Sequence, residues 1–241
     1  AAAPPPGSLV IDIGSNDGSL LKPFKERGLR VLGVDPAKAA AERAIAAGVP
    51  TEIALMSLPL AERIRAVHGP AQIVSAFNVF AHADDLGAMA DCVRILLAPD
   101  GLFFFEAQYL ADIIDGVLIA TIFHEHMSHH SVAPLARFLD RHGLELIAAE
   151  RATIQHGSLI GTVQLKGGLR PVERSVHDLL ALEAERGLAR LETLRGFDAT
   201  VKRLRARTAG LAAQWRGQGR TIAGYGAARS GPTLIAQLGL A

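Results

Sequence analysis

LVIDIGSNDGSLL (residues 9–21), followed by LRVLGVD (29–35), is the stretch whose reading decides the fold. LVIDIG is a short apolar run closed by turn residues, which predicts a buried strand. SLLKPFKERG (19–28) has helical apolar spacing and a glycine stop at Gly28. LRVLGVD predicts a second strand, ending in Asp35. Strand, glycine loop, helix and strand in this order form a nucleotide-cofactor site. Gly14 lets the backbone turn sharply, and Gly18 lets a ligand approach the helix start. The loop departs from G-x-G-x-x-G, because position 16 is Asn and position 19 is Ser. A dinucleotide brings its pyrophosphate close to the backbone at the middle glycine, and Asn16 obstructs that approach. A cofactor without phosphates, such as S-adenosylmethionine, has no such need. Asp35 can accept hydrogen bonds from both ribose hydroxyls. Asp12 and Asp17 near the loop suit a cationic sulfonium, or its amino group, better than a phosphate.

Outward from this unit the alternation continues. PAKAAAERAIAAG is an alanine-rich helix with Pro36 at its start and Gly48 at its end. A weak third strand falls near 51–54, a helix at 57–68, a strand at 71–77, a helix at 84–97 and a fifth strand at 101–107. This predicts an α/β fold, a doubly wound and mostly parallel sheet with helices on both faces. A helix at 132–142 and two late strands, 144–150 and 158–165, follow, the latter expected as an antiparallel pair. The insertion 107–131 contains IFHEHMSHH, with four of the nine histidines of the chain between 124 and 130. Residues 172–218 are charged and helical. Leu194, Phe197, Val201, Leu204, Leu211 and Trp215 make a stripe there, expected to pack on the core or on a neighbouring domain. TIAGYGAARSG (221–231) repeats the strand, glycine loop and helix theme. The domain reading is a tail at 1–8, a cofactor domain at 9–170, a helical linker at 171–218 and the start of a second α/β domain at 219–241.

The bulk properties exclude several classes. A chain of 241 residues, 49% apolar, can bury a large core without staples. A net charge of +1 and the lack of a basic run give no footprint for nucleic acid. No apolar stretch is long enough to span a bilayer, so no membrane partner is expected. Cys92 is the one cysteine, which excludes an internal disulfide and fits a cytoplasmic protein with a buried thiol. The first residue is Ala and the last glycine-loop unit stops soon after it opens, so a fragment of a longer protein is expected.

VIDIGSNDGSLL, LGVDPA, FNVFAHADDL, FFEAQYL, TIFHEHMSHHS, QHGSL and GYGAARSG occur in this order. In this the chain resembles the sugar C-methyltransferases that act on nucleotide-linked 4-keto-6-deoxy sugars in antibiotic deoxysugar pathways. The resemblance covers essentially the whole chain and implies a class I methyltransferase domain with S-adenosylmethionine as cofactor. It also implies an N-terminal zinc-binding domain, absent from these residues, and a C-terminal Rossmann-like domain. By resemblance His126 is the base, Glu125 an acidic partner, and His124 a further catalytic candidate. Phe123 stands where the family commonly has tyrosine, and Ser230 where it often has lysine. The cofactor candidates are Asp12, Gly14, Ser15, Asn16, Gly18, Asp35 and Asn78. The candidates for a nucleotide-diphosphate keto sugar are His82, Glu106, Tyr109, His156 and Tyr225. No metal is expected, because H-E-x-x-H fails at Ser128. The competing readings are an NAD-dependent oxidoreductase of a nucleotide sugar and a SAM-binding fragment without activity.

Overall fold

The computed structural model describes residues 4–154, 157–226 and 228–240. Its centre is a seven-stranded sheet in the order β3-β2-β1-β4-β5-β7-β6. The strands are β1 (Leu9–Ile13), β2 (Arg30–Val34), β3 (Thr51–Glu52), β4 (Ala71–Phe77), β5 (Leu97–Gln108), β6 (Leu144–Ala152) and β7 (Ser158–Leu165). The first five run parallel; β7 is antiparallel to β5, and β6 to β7. Helices α1 (Lys22–Glu26), α2 (Lys38–Ala46), α3 (Leu58–His68) and α4 (Leu86–Leu96) connect the parallel strands. Then come α5 (Leu110–Asp115), α6 (Val132–Arg141), α7 (Arg174–Glu185), α8 (Leu191–Gly217) and α9 (Gly231–Leu238).

β1 is buried along its whole length because both faces of the sheet are covered. Its alternate side chains enter different cores. Leu9, Ile11 and Ile13 join the larger core with Phe103, Phe105 and Leu139. Val10 faces the smaller core with Leu21, Leu29, Val31, Ala44 and Val49. The chain leaves β1 for β2 on one side and returns to β4 on the other. The carboxyl ends of β1 and β4 therefore flank the switch point where open α/β sheets bind ligands. Phe80, in a 3-10 turn after β4, is fully buried and packs on Phe105 and Phe103, with ring centroids 5.4 and 5.5 Å apart. These aromatic pairs pin the turn carrying Asn78 and His82 to the sheet edge.

Three expectations need correction. The helix expected over 19–28 is reduced to α1, at 22–26. Asn16 and Gly18, just before this segment, both adopt left-handed backbone, with φ of 50° and 76°, so the chain enters it through a turn and not a helix. The Asp17 carboxylate also accepts the Ser19 amide and hydroxyl, which holds a turn there. The stripe on α8 is not core: Leu194, Leu204, Leu211 and Trp215 are exposed, and Ala212 alone is buried on that helix. Within the described residues α9 is the helix that packs along α8, and it is too short to cover the stripe. Residues 221–226 form no strand and pair with none of the seven described strands. The helix after them does form, as α9.

Gly161 on β7 faces the Phe105 ring, where an added Cβ would lie 2.1 Å from Cε1. Gly161→Ala is therefore expected to lower unfolding free energy by about 1–3 kcal/mol in a denaturant titration. Gly196→Ala, in the open middle of α8, is expected to raise it by about 0.5–1 kcal/mol. Equal midpoints for the two variants would contradict this packing.

Candidate active site

A cavity of about 880 Å³ opens at the switch point, lined among others by Gly14, Asn16, Asp35, Met56, Asn78 and His82. Asp35 is buried at its edge. One carboxylate oxygen accepts the Asn16 amide at 2.8 Å and the other the Ala37 amide at 2.7 Å. Each oxygen has a further lone pair for a ligand hydroxyl. Gly14 lies under Val79, whose Cγ2 would be 2.5 Å from an added Cβ. The Asn16 amide, the donor a phosphate would need, is engaged by Asp35. Among the described residues no lysine lines the cavity, and the one arginine on its lining, Arg229, comes from the far end of the chain. An acidic edge, an engaged loop amide and a large volume fit S-adenosylmethionine and disfavour a pyrophosphate.

A smaller cavity of about 410 Å³ adjoins the first, sharing Asn78, His82, Glu125 and Arg229 with it and adding Gln108, Phe123 and His126. His126 Nδ1 lies 2.6 Å from the Thr121 carbonyl oxygen. A carbonyl only accepts, so Nδ1 carries the hydrogen and the neutral ring keeps its lone pair on Nε2. The same logic applies to His82, whose Nδ1 donates to the Glu125 carbonyl at 2.8 Å. The two imidazoles stand with centroids 5.0 Å apart, and the Phe123 ring packs on His126 at 4.5 Å. Burial lowers the pKa of His126 below the imidazole range, although the Thr121 hydrogen bond opposes the shift. The His126 ring is thus neutral at physiological pH, with its lone pair on Nε2.

The insertion bearing His126 is anchored at both ends by one carboxylate. Tyr109 starts it, and its hydroxyl donates to Glu183 of α7 at 3.0 Å. Glu183 also accepts the Val132 and Ala133 amides at the start of α6. Leu110 donates to the His130 carbonyl at 2.8 Å, which closes the base of the loop. A buried carboxylate at a helix N-terminus is favourable there.

The structure brings Gly14, Asn16, Asp35, Asn78, His82, Glu125 and His126 to the two cavities. Ser15 and Gly18 lie behind the loop, buried against β2 and Val49 respectively. Asp12 points into the smaller-core face of the sheet, where the Ser75 hydroxyl donates to it at 2.6 Å. Burial pushes its pKa up to about 7, the Ser75 bond lowers it, and the Asp35 charge raises it further. Glu106 is buried and accepts from Ser158 at 2.8 Å. Tyr109 is fully buried on Glu183, and His124 is exposed against the edge of Phe123. Tyr225 is fully exposed away from both cavities, and His156 lies outside the described residues. Among the described residues no group of three His, Cys, Asp or Glu is placed to hold a metal. No described helix is long and apolar enough to cross a membrane.

Sequence reasoning missed Arg229, which lines both cavities and whose Nη1 donates to the Glu125 carboxylate at 3.0 Å. The two residues are 104 positions apart, so no local pattern pairs them. The missed signal was an arginine inside the second glycine-rich stretch.

Comparisons with known proteins agree with this geometry. Residues 1–149 match the family described as a methyltransferase domain, and 153–241 one described as a C-methyltransferase C-terminal domain. The chain is 37% identical over 234 residues to the C-methyltransferase NovU of Streptomyces niveus, covering 97% of this chain and 56% of that one. It therefore spans about half the length of that curated relative. Among solved structures, a SAM-dependent methyltransferase from Anabaena variabilis is similar with a TM-score of 0.54 and 16% identity, over 67% of this chain and 79% of that chain. Magnesium protoporphyrin IX methyltransferase from Synechocystis, solved with bound SAH, gives 0.51 and 22%, over 67% and 75%. The fold is that of the class I SAM-dependent methyltransferases.

Two outcomes follow for the carboxylates. Asp35→Ala is expected to weaken S-adenosylhomocysteine binding about 10–100-fold in calorimetry, the loss of one charged hydrogen bond or slightly more; affinity within threefold would remove Asp35 from the ligand. Folded Asp12 holds its proton up to about pH 7 against 3.8 for the free carboxyl. The folded state therefore binds the extra proton in that window, and stability falls as pH rises through it. Asp12→Asn should flatten that part of the stability–pH curve, and an unchanged slope would assign it to another group.

Proposed function

The chain belongs to the methyltransferase domain family, and from that premise we propose that it methylates carbon on a nucleotide-linked 4-keto-6-deoxy sugar with S-adenosylmethionine as cofactor. The observation that carries this reading is His126. Its Nδ1 is fixed by a main-chain carbonyl, and its free Nε2 serves a cavity that adjoins the cofactor cavity. Methylation of an oxygen or nitrogen can start from a lone pair. A carbon next to a ketone has none until a base removes its proton. A lowered imidazole pKa keeps His126 unprotonated and ready at neutral pH. The match to a C-methyltransferase C-terminal domain and the identity to NovU support carbon as the acceptor. The sugar and its nucleotide rest on the motif resemblance, and so does a place in deoxysugar biosynthesis; a cytoplasmic location rests on the lone buried thiol of Cys92.

His126 Nε2 takes the proton as the C–H bond breaks, and the electron pair moves onto the ketone oxygen. Thr121 holds the imidazole in that orientation throughout. When bound, S-adenosylmethionine supplies an electrophilic methyl group, which the carbon takes as the carbon–sulfur bond breaks to leave a thioether. Asp35 and the Gly14–Asn16 turn hold the nucleoside end, and Asn78, shared by the two cavities, stands where donor and acceptor meet. Left-handed backbone at Asn78, φ 57°, is tolerated by few residues other than Gly, Asn and Asp.

The test is solvent exchange at the carbon next to the ketone of a dTDP-4-keto-6-deoxyhexose in deuterium oxide, alongside methyl transfer. His126→Ala is expected to slow both by about 100–10,000-fold, and unchanged exchange would rule against that residue as the base. The rate should rise with pH as His126 loses its proton, with a midpoint below the ordinary imidazole value, and then level off. A midpoint above that value would mean that burial does not govern this ring.

A further inference from the structure

We infer that Arg229 is a further catalytic residue, whose guanidinium stabilises the enolate oxygen that forms when His126 removes the proton. The assignment rests on the carbon-methylation reading above. Arg229 lies in the turn before α9 and lines both cavities. Among the described residues it is the one lysine or arginine on either lining. Its Nη1 donates to Glu125 Oε2 at 3.0 Å. Glu125 neighbours His126 in sequence, and its carbonyl oxygen holds His82. The cation is thus tied to the same turn that carries the base. Nε and Nη2 make no hydrogen bond with the described residues, so donors remain for a ligand.

The reaction needs such a group. As the C–H bond breaks, the proton goes to Nε2 and the electron pair becomes an enolate with its negative charge on oxygen. When the carbon bonds to the methyl group, the pair returns and the C=O bond reforms. The oxygen therefore carries charge only between these steps. A donor fixed beforehand at that point lowers the barrier more than one that must reorient. The other lining groups offer less. Phe123 packs on His126 and has no donor, while Asn78 and Gln108 offer neutral amides. A permanent cation with a planar fork of donors is the stronger partner for a developing oxyanion. The Glu125 pair ties one nitrogen of that fork to the histidine turn and leaves the other donors open.

The full chain is compared with Arg229→Gln and Arg229→Lys, measuring deuterium exchange, methyl transfer and calorimetric affinity for S-adenosylhomocysteine. The Arg229 side chain is 81% exposed, so both variants should fold, with unchanged Tm. Exchange and kcat are expected to fall about 100–1,000-fold in Arg229→Gln. KM for the keto sugar and the cofactor affinity should stay within threefold, and Arg229→Lys should recover part of the rate. Exchange within threefold of the parent would overturn the assignment. So would a raised KM with unchanged kcat, which would make Arg229 a ground-state anion contact. A parent that binds S-adenosylhomocysteine yet exchanges no keto-sugar proton would overturn the underlying reading, and this assignment with it.

Discussion

The rest of the site depends on the hydrogen bond from the Asn16 amide to the Asp35 carboxylate. It ties the loop after β1 to the end of β2 and sets where the first turn of the connection can run. Gly14 and Asn16 both hold left-handed backbone to make that turn, a conformation that glycine and asparagine reach at least cost. The bond also consumes the amide that a phosphate would otherwise use. Cofactor choice is thus written into a contact between two ends of one strand–loop–strand unit, not into a separate recognition element.

The second half of the site is built on a different device. The histidine turn has no regular secondary structure of its own, so its side chains are held by main-chain carbonyls and by the sheet beneath. Thr121 fixes His126, and Glu125 fixes His82. Phe80 presses the turn carrying Asn78 and His82 against the phenylalanines of β5. Glu183 closes the loop at its two ends from a distant helix. A loop clamped in this way can carry chemistry precisely because its backbone has few other ways to satisfy its polar groups.

Most of the sheet was legible in the sequence because its strands are short apolar runs bounded by glycine and aspartate turns. The antiparallel β6–β7 pair was legible for the same reason. The short extent of the loop helix was not, since the start of 19–28 is held in a turn by Asp17 and Ser19, which apolar spacing does not show. The α8 stripe has helical periodicity, but periodicity states which face is apolar and not what lies against it. Tyr109 and Glu106 stand among the substrate candidates by resemblance; only their partners, Glu183 and Ser158, reveal side chains satisfied inside the fold. His126 came from a motif, whereas Arg229 needed three dimensions to appear beside it.

The central claim is that this pair of cavities joins a methyl group to carbon. The most direct measurement supplies the chain with methyl-13C S-adenosylmethionine and a uniformly 13C-labelled nucleotide keto sugar, and reads the product by NMR. The account predicts a methyl signal split by one-bond coupling to a ring carbon next to the ketone, and no such product from His126→Ala. A methyl signal without carbon–carbon coupling, placing the label on oxygen or nitrogen, would contradict it.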